Sequence, residues 1–382
     1  MSLDSNQAGS LDVKSEIALV AVTRNGGKLG IEIARKLHSK NISLDLYFQK
    51  KFQTELQAVS KGDVNLLFYP EKIKNLLQDI LDKYRNFIFI VSIGALIRII
   101  APFLKGKDVD PAIVAIDENG EYVISILSGH IGGANELCRK IAAGMGARAV
   151  ITTASDVQKT LTVDTMGKEF GWYMEPSEYL TEISAAVVNG ETVAIVQESG
   201  EKNWWKYETG LPENLILFNT LEEGFQSNAP YHIIITHRDF QKMPDFESSG
   251  NKKIVIFRPK VIGIGLGCNR NTTQEELDHV TLETLQALKF NVNSVMAVAS
   301  IDLKENESGL LLFCSKRRWR LYFYTVSELN SVAIQSPSEV VFKYTGAYGV
   351  SEPAAKILTK NSTLALVKKK SGNVTISIGL TS

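Results

Sequence analysis

One histidine stands among residues suited to chemistry. Ser128-Gly129-His130-Ile131-Gly132-Gly133-Ala134-Asn135-Glu136 falls between an apolar run and a helical pattern. Glycines let the backbone turn tightly, and a helix start carries N–H groups without intrahelical partners. Such a loop can take an oxyanion and offer His130 as a general acid or base near neutral pH. The competing reading is a glycine-rich turn carrying a partly exposed histidine.

Other stretches carry weaker signals. Gly94-Ala95-Leu96-Ile97-Arg98 follows an apolar strand, at the kind of strand end where open parallel sheets collect ligands. Arg98 on an apolar helix start either pairs internally or grips an anion with two hydrogen bonds. Thr152-Thr153-Ala154-Ser155-Asp156 follows another strand, and its hydroxyls and carboxylate either meet ligand or cap a helix. Gly263-Ile264-Gly265-Leu266-Gly267 reads as a turn between strand and helix, with Thr272 and Glu275 spaced as a capping box. Its spacing is not that of a dinucleotide loop, and the acidic residue such a site wants is missing at the right distance. Asp302 to Glu307 is a charge run, either a solvated face or, through Lys304 and Glu307, part of a site. Gly346 to Glu352 is a second glycine-rich approach to a helix.

The elements that must position these residues alternate. Ile17 to Val22 predicts a strand, broken by Asn25-Gly26-Gly27 before a helical pattern over Leu29 to Leu37. Ile73, Leu76, Leu77, Ile80, Leu81 and Tyr84 recur at helical spacing. Phe87 to Val91 predicts a strand covered on both faces. Ala112 to Ile116 and Tyr122 to Ile126 predict a hairpin, followed by a helix from about Gly132 to Met145 and a buried strand over Ala149 to Thr152. The middle of the chain predicts a helix over Glu182 to Asn189 and strands over Thr192 to Val196 and His232 to Thr236. Beyond Pro259 the patterns predict strands at Val261 to Ile264, Val295 to Ala299 and Leu321 to Tyr324. Helices over Thr273 to Leu288 and Glu352 to Leu358 and a closing pair near Thr363 to Val367 and Val374 to Ile378 complete the unit. The expectation is a multi-domain α/β protein with largely parallel sheets flanked by helices and a smaller central domain or insertion. Its boundaries are a tail over 1–14, an N-terminal domain over 15–156, a central domain over 157–258 and a C-terminal domain over 259–382.

Composition sets the outer limits. At 382 residues, with 44% hydrophobic and 22% charged, the chain can bury several cores. Lys plus Arg (42) balances Asp plus Glu (42), so no basic field points to nucleic acid or an anionic membrane. The cysteines Cys138, Cys268 and Cys314 are scattered, which argues against a disulfide scaffold or cysteine-based metal site and fits a reducing cytoplasm. Met1 to Lys14 lacks the basic start and apolar core of a secretory signal. The apolar stretch from Phe87 is broken by Arg98; eleven residues at about 1.5 Å each fall short of a bilayer core of roughly 30 Å.

Wording and order go further than the single motifs. Gly94 to Pro102, Asp110-Pro111-Ala112, Leu127 to Asn135 and Ile151 to Ala154 resemble blocks of the CbiG family of cobalamin biosynthesis, in the family's order. Gly263-Ile264-Gly265, Ser300 to Lys304, Glu307 and Gly349 to Ala355 resemble its C-terminal domain. The resemblance covers about Ser15 to Gly379, with the middle matching by position. It departs at Asn306-Glu307-Ser308-Gly309, and at Ser351 and Pro353 on either side of Glu352.

The resemblance implies a cobalt-precorrin-5A hydrolase. Its substrate would be a cobalt-bearing corrinoid with many carboxylates and one δ-lactone, which water opens with loss of acetaldehyde. No cofactor is then needed, because the cobalt arrives in the substrate, and no protein metal site is expected. The partner would be a small-molecule tetrapyrrole, with no nucleic acid and no membrane, leaving room for transient contact with neighbouring pathway enzymes. His130 is the expected catalytic residue, with N–H groups near Gly132 and Gly133 stabilising an oxyanion. The expected substrate contacts are Gly94, Ala95, Arg98, Ser128, Gly129, Gly132, Gly133, Asn135, Thr152, Thr153, Lys304, Glu307, Gly349 and Glu352. Arg98 and His130 are expected to face the substrate from one side, with Lys304, Glu307 and the Gly349 turn on the other. Two alternatives are a corrinoid carrier without chemistry and a nucleotide-dependent oxidoreductase built on the Gly263 turn.

Overall fold

The computed structural model describes residues 17–38, 42, 44–62, 64–70, 72–106, 109–240 and 252–381. The N-terminal tail expected over 1–14 lies outside them. The chain divides into two compact units, Met1–Lys159 and Thr160–Ser382.

The first unit runs β1 (Ile17–Ala21), α1 (Arg24–His38), β2 (Leu44–Gln49), α2 (Gln53–Ser60), β3 (Leu66–Tyr69), α3 (Ile73–Ile80), β4 (Asn86–Ile90) and α4 (Ile93–Ile100). It continues with β5 (Ala112–Ile116), β6 (Tyr122–Leu127), α5 (Ala134–Met145), β7 (Arg148–Val150) and α6 (Ala154–Gln158). One seven-stranded sheet has the order β3-β2-β1-β4-β5-β6-β7. All its pairs are parallel except β5 with β6, where Ile113 faces Leu127 and Ile116 faces Val123. Phe87, Ile88 and Phe89 of β4 are fully buried, as a central strand covered on both faces must be. One core lies on the α1 and α5 face, around Leu19, Ile31 and Ile141; the other holds Phe87, Phe89, Leu77 and Leu96 under α3 and α4.

Two local expectations are corrected here. Gly26 and Gly27 do not break the chain but lie buried in the first turns of α1, where a Cβ on Gly27 would meet Leu56 at 2.8 Å. The strand expected to be buried, β7, is a three-residue edge with Arg148 and Ala149 exposed.

The second unit holds two sheets. Its first part comprises β8 (Tyr173–Met174), α7 (Leu180–Asn189), β9 (Val193–Gln197), β10 (Leu215–Phe218), α8 (Leu221–Gln226), β11 (Tyr231–Ile235) and β12 (Lys253–Arg258). These strands order as β10-β9-β11-β12-β8, with only β8 antiparallel. The remainder is β13 (Ile262–Cys268), α9 (Gln274–Ala287), β14 (Val295–Ile301), α10 (Ser308–Arg317), β15 (Arg320–Tyr324), α11 (Val326–Asn330), α12 (Glu339–Thr345), α13 (Ser351–Thr359), β16 (Leu364–Ser371) and β17 (Val374–Leu380). Here the order is β15-β14-β13-β17-β16, parallel on one side of β13 and antiparallel on the other. All three sheets carry parallel strands joined through helices, so the architecture is α/β.

The glycines of the third sheet contradict the expected turn. Gly263, Gly265 and Gly267 lie within β13, which runs straight on to Cys268. A Cβ on Gly265 would sit 1.9 Å from the Ser351 carbonyl oxygen, so the missing side chain is what lets α13 lie against the strand. No anion loop exists at this place, and the dinucleotide alternative loses its structural basis. The helix cap is also one residue later than expected: Thr273 Oγ1 accepts from Glu276 N at 3.2 Å, while the Glu276 carboxylate accepts from Asn373 instead of closing a box. Among the described residues no helix is long and apolar enough to cross a membrane.

Candidate functional site

The loop between β6 and α5 is built from its own carbonyls. Ser128 adopts φ +56 and Gly133, at the start of the helix, φ +90. Ala134 N donates to Ser128 O (3.1 Å), Asn135 N to Gly129 O (3.0 Å) and Gly133 N to His130 O (3.0 Å). The N–H groups of Gly133, Ala134 and Asn135 are thus engaged within the loop itself. Ser128 Oγ donates to Asp110 O at 3.0 Å, tying the loop to the chain just before β5.

This winding presents the His130 ring to the turn that follows β7. Nε2 lies 3.1 Å from Ser155 Oγ and 3.4 Å from Asp156 Oδ2. The His130 side chain is 23% exposed and that of Asp156 13%, so the pair is sheltered but reachable. Arg139, one turn into α5, pairs with Asp156 Oδ1. Asn135 Nδ2 donates to Asp156 Oδ2 and to Thr153 Oγ1, both at 2.8 Å, and its Oδ1 accepts from Ser125 Oγ at 2.7 Å. Asn135 is only 4% exposed, with its side chain engaged inside the protein. It holds two strand-end loops together. Thr153 is drawn into this network, while Thr152 beside it is exposed.

The arrangement is not that of a serine hydrolase. There the two imidazole nitrogens divide the work, one facing the acid and the other the nucleophile. Here Ser155 and Asp156 stand on the same nitrogen, and Ser155 is only 4% exposed. What the geometry offers is a histidine held against a carboxylate, able to exchange a proton with water or ligand.

Strand directions place the other expected residues elsewhere. Because β6 runs against β5, His130 lies at the amino ends of the parallel strands. Gly94 and Ala95 start α4 at their carboxyl ends, across strands of five residues or about 16 Å. Arg98 is exposed, and its Nη1 turns back to Gly94 O at 3.3 Å. It is neither buried nor, among the described residues, ion-paired. At the carboxyl ends a cleft of about 630 Å³ is lined by Thr23, Ser92, Ala95, Asp117 and Glu118 over an apolar floor including Ile116. Thr23 Oγ1 donates there to Glu118 Oε1. Thr23 and Glu118 carried no motif, because they meet only through the pairing of β1, β4 and β5.

In the second unit Lys304 and Glu307 come together as expected from their spacing. Nζ and Oε2 are 2.8 Å apart, with both side chains largely buried, and Glu307 Oε1 accepts from Asn271 N at 2.7 Å. The charge run is therefore not simply a solvated face. The Lys304 ammonium, followed by the Asn271 N–H, holds the Glu307 carboxyl below its ordinary range against the opposing effect of burial. Glu352 differs from expectation. It is 2% exposed, with Oε1 accepting from Gln335 N (2.7 Å) and Lys356 Nζ (2.9 Å) and Oε2 from Ser336 N (3.3 Å). It fastens the 333–336 segment, and Gly349 packs beneath the same segment at Ile334. Among the described residues no group of three or more His, Cys, Asp and Glu is placed to hold a metal ion.

Comparison with known proteins decides the family. Residues 75–156 match the pattern described as cobalamin synthesis G N-terminal, 161–259 that of the cobalamin biosynthesis central region, and 262–379 that of the cobalamin synthesis G C-terminus. A cobalt-precorrin-5A hydrolase of Priestia megaterium is 46% identical over 383 residues, covering 100% of this chain and 99% of the relative. The chain belongs to the CbiG family. A cobalt-precorrin-5A hydrolase of Salmonella typhimurium is 30% identical, covering 78% of this chain and 82% of that one. Among solved structures, a putative cobalamin biosynthesis protein G homolog from Sulfolobus solfataricus is 22% identical, covers 96% of this chain and 98% of that one, and has a TM-score of 0.39. The CbiG pattern takes in the His130 loop, the Asp156 turn and the Lys304–Glu307 pair alike.

Proposed function

We propose that the protein is a cobalt-precorrin-5A hydrolase, which opens the ring-A δ-lactone with water, releases acetaldehyde and leaves cobalt-precorrin-5B. The observation that carries this reading is the end-to-end likeness, at 46% identity, to the Priestia megaterium relative of that name. The His130 site supports it chemically. As water oxygen bonds to the lactone carbonyl carbon, its proton passes to His130. When the acyl C–O bond breaks, the leaving oxygen takes that proton back, giving a carboxylic acid and a hydroxyethyl group. Loss of the hydroxyl proton then lets the C–C bond to the macrocycle break. Its electron pair enters the conjugated ring, and the two carbons leave as acetaldehyde.

Arg98, exposed and outside any ion pair among the described residues, suits a peripheral carboxylate of the substrate. Gly129, Gly132 and Thr152 lie at the His130 end, where close backbone approach is possible. Lys304, already holding Glu307, is a weaker candidate for such a contact. Cobalt enters as part of the substrate, so this reading assigns the protein no cofactor of its own. It places the enzyme in the cytoplasm with a small-molecule tetrapyrrole as its partner. The test is to mix the protein with cobalt-precorrin-5A and assay acetaldehyde, expecting one equivalent per substrate. Tight binding without acetaldehyde would establish the carrier alternative. His130→Ala is expected to slow single-turnover release by about 10²–10⁴-fold, and near-full activity would remove His130 from the chemistry.

A further inference from the structure

Asp156 is the meeting point of three side chains, Asn135 and Arg139 of α5 and His130 of the loop before it. Its Oδ1 is held by Arg139, and its Oδ2 accepts from Asn135 Nδ2 and faces His130 Nε2. Asn135 is in turn fixed by Ser125 and Thr153, so the carboxylate sits on a frame anchored in β6, α5 and the segment after β7. An arginine partner at 52% exposure and a buried amide are more than is needed to cap a five-residue helix. They fix one carboxylate against one imidazole nitrogen.

We infer that Asp156 is the positioning residue of this site. It keeps a proton on His130 Nε2, orients the ring and stabilises the imidazolium that forms when His130 has taken a proton from water. The inference rests on the hydrolase reading with His130 as proton carrier. Asp156 itself neither gains nor loses a proton, and its charge offsets the one created on His130. Two further carboxylates on neighbouring segments have described partners of their own. Glu136 of α5 pairs with Lys140, and the Asp110 carboxylate accepts from the N–H groups of Lys105 and Gly106.

The experiment uses the full chain with two substitutions of opposite electrostatic sign. Asp156→Asn keeps the shape and removes the charge. Arg139→Gln leaves Asp156 in place and strips its cationic partner. The His130 ring resonances are titrated by NMR without substrate, and pH–rate profiles are taken with cobalt-precorrin-5A. The expected result for Asp156→Asn is a His130 titration and an acidic limb of kcat/KM moved to lower pH. Its kcat should fall at least about 10²-fold and its KM stay within about threefold, with Asp156→Glu recovering part of the loss. Arg139→Gln should move the His130 titration to higher pH. Because Arg139 is half exposed, this variant carries the test even if Asp156→Asn folds poorly. A His130 titration unchanged in both variants would overturn the inference, as would a kcat loss with no movement of the acidic limb. Absence of acetaldehyde from the wild type would sink the hydrolase reading separately, since the titration without substrate is read independently.

Discussion

Ser128 and Gly132 show how much of the His130 site is decided by single residues. Ser128 is a non-glycine residue at φ +56, and a Cβ on Gly132 would lie 2.4 Å from Ser128 Cβ and 2.8 Å from its carbonyl oxygen. That carbonyl is the acceptor for Ala134 N, so the clash falls on a hydrogen bond that shapes the loop. Gly132→Ala should therefore cost about 1–3 kcal/mol in urea unfolding and reduce acetaldehyde release more than tenfold, because His130 is displaced. Wild-type values for both would show that the loop relaxes freely. His237 makes a different kind of prediction. Burial, followed by the charges of Arg238 and Arg258, lowers it to about 4, and it packs edge-on to Phe290 at 4.8 Å. The folded value lies below that of the unfolded chain, so acid protonates the unfolded state first. Stability is then lost as pH falls from about 6.5 towards 4. Urea midpoints of wild type and His237→Phe, measured at pH 7 and pH 5, should show a smaller acid loss in the variant, by on the order of 2 kcal/mol. Equal losses would mean that the folded protein protonates His237 as readily as the unfolded chain does.

At the scale of elements, the contact of α13 with β13 is the most sharply specified. Gly265→Ala would drive a Cβ into the Ser351 carbonyl and the Ala355 amide nitrogen at once, both backbone atoms that cannot swing aside. The expected loss is about 3 kcal/mol or more, seen as a lowered melting temperature; a change under about 1 kcal/mol would mean that α13 slides without cost. The same contact explains what was legible in the sequence. Fully buried strands such as Phe87–Phe89 announce themselves by unbroken apolar runs, and the hairpin of β5 and β6 by Asp117 to Gly120. The glycines of β13 and of α1 do not, because a glycine that admits a neighbouring element looks in sequence like one that makes a turn. The edge strand β3, only half buried over Leu66 to Phe68, carries too little apolar pattern to stand out. For the site, the spacing of Lys304 and Glu307 was readable along the chain. The meeting of His130 with Asp156 depends on β7 lying parallel beside β6, and the separation of His130 from Gly94 on β6 running against β5, neither of which a local pattern states.

At the scale of the whole molecule, the charges that do chemistry are distributed, not concentrated. The chain is neutral overall, with 42 basic and 42 acidic residues, so a polycarboxylate ligand must be met by particular donors and not by a broad field. In the first unit, the described contacts that hold His130 and Asp156 come from the unit's own residues. The seven-stranded sheet is covered on both faces by cores drawn from its own helices, and Ser125, His130, Asn135, Arg139 and Asp156 are all internal to it. A fragment comprising Met1–Lys159 should therefore fold alone, since burial on both faces of a sheet of this size supports an independent domain. It should unfold in urea in one cooperative transition. In the fragment, the His130 ring should titrate as it does in the full chain, because Asp156 and Arg139 remain in place. A fragment that binds hydrophobic dye and lacks near-ultraviolet circular dichroism would show that the first unit needs the rest of the chain to pack. A well-folded fragment with a shifted His130 titration would instead place a charged neighbour of that ring beyond Lys159.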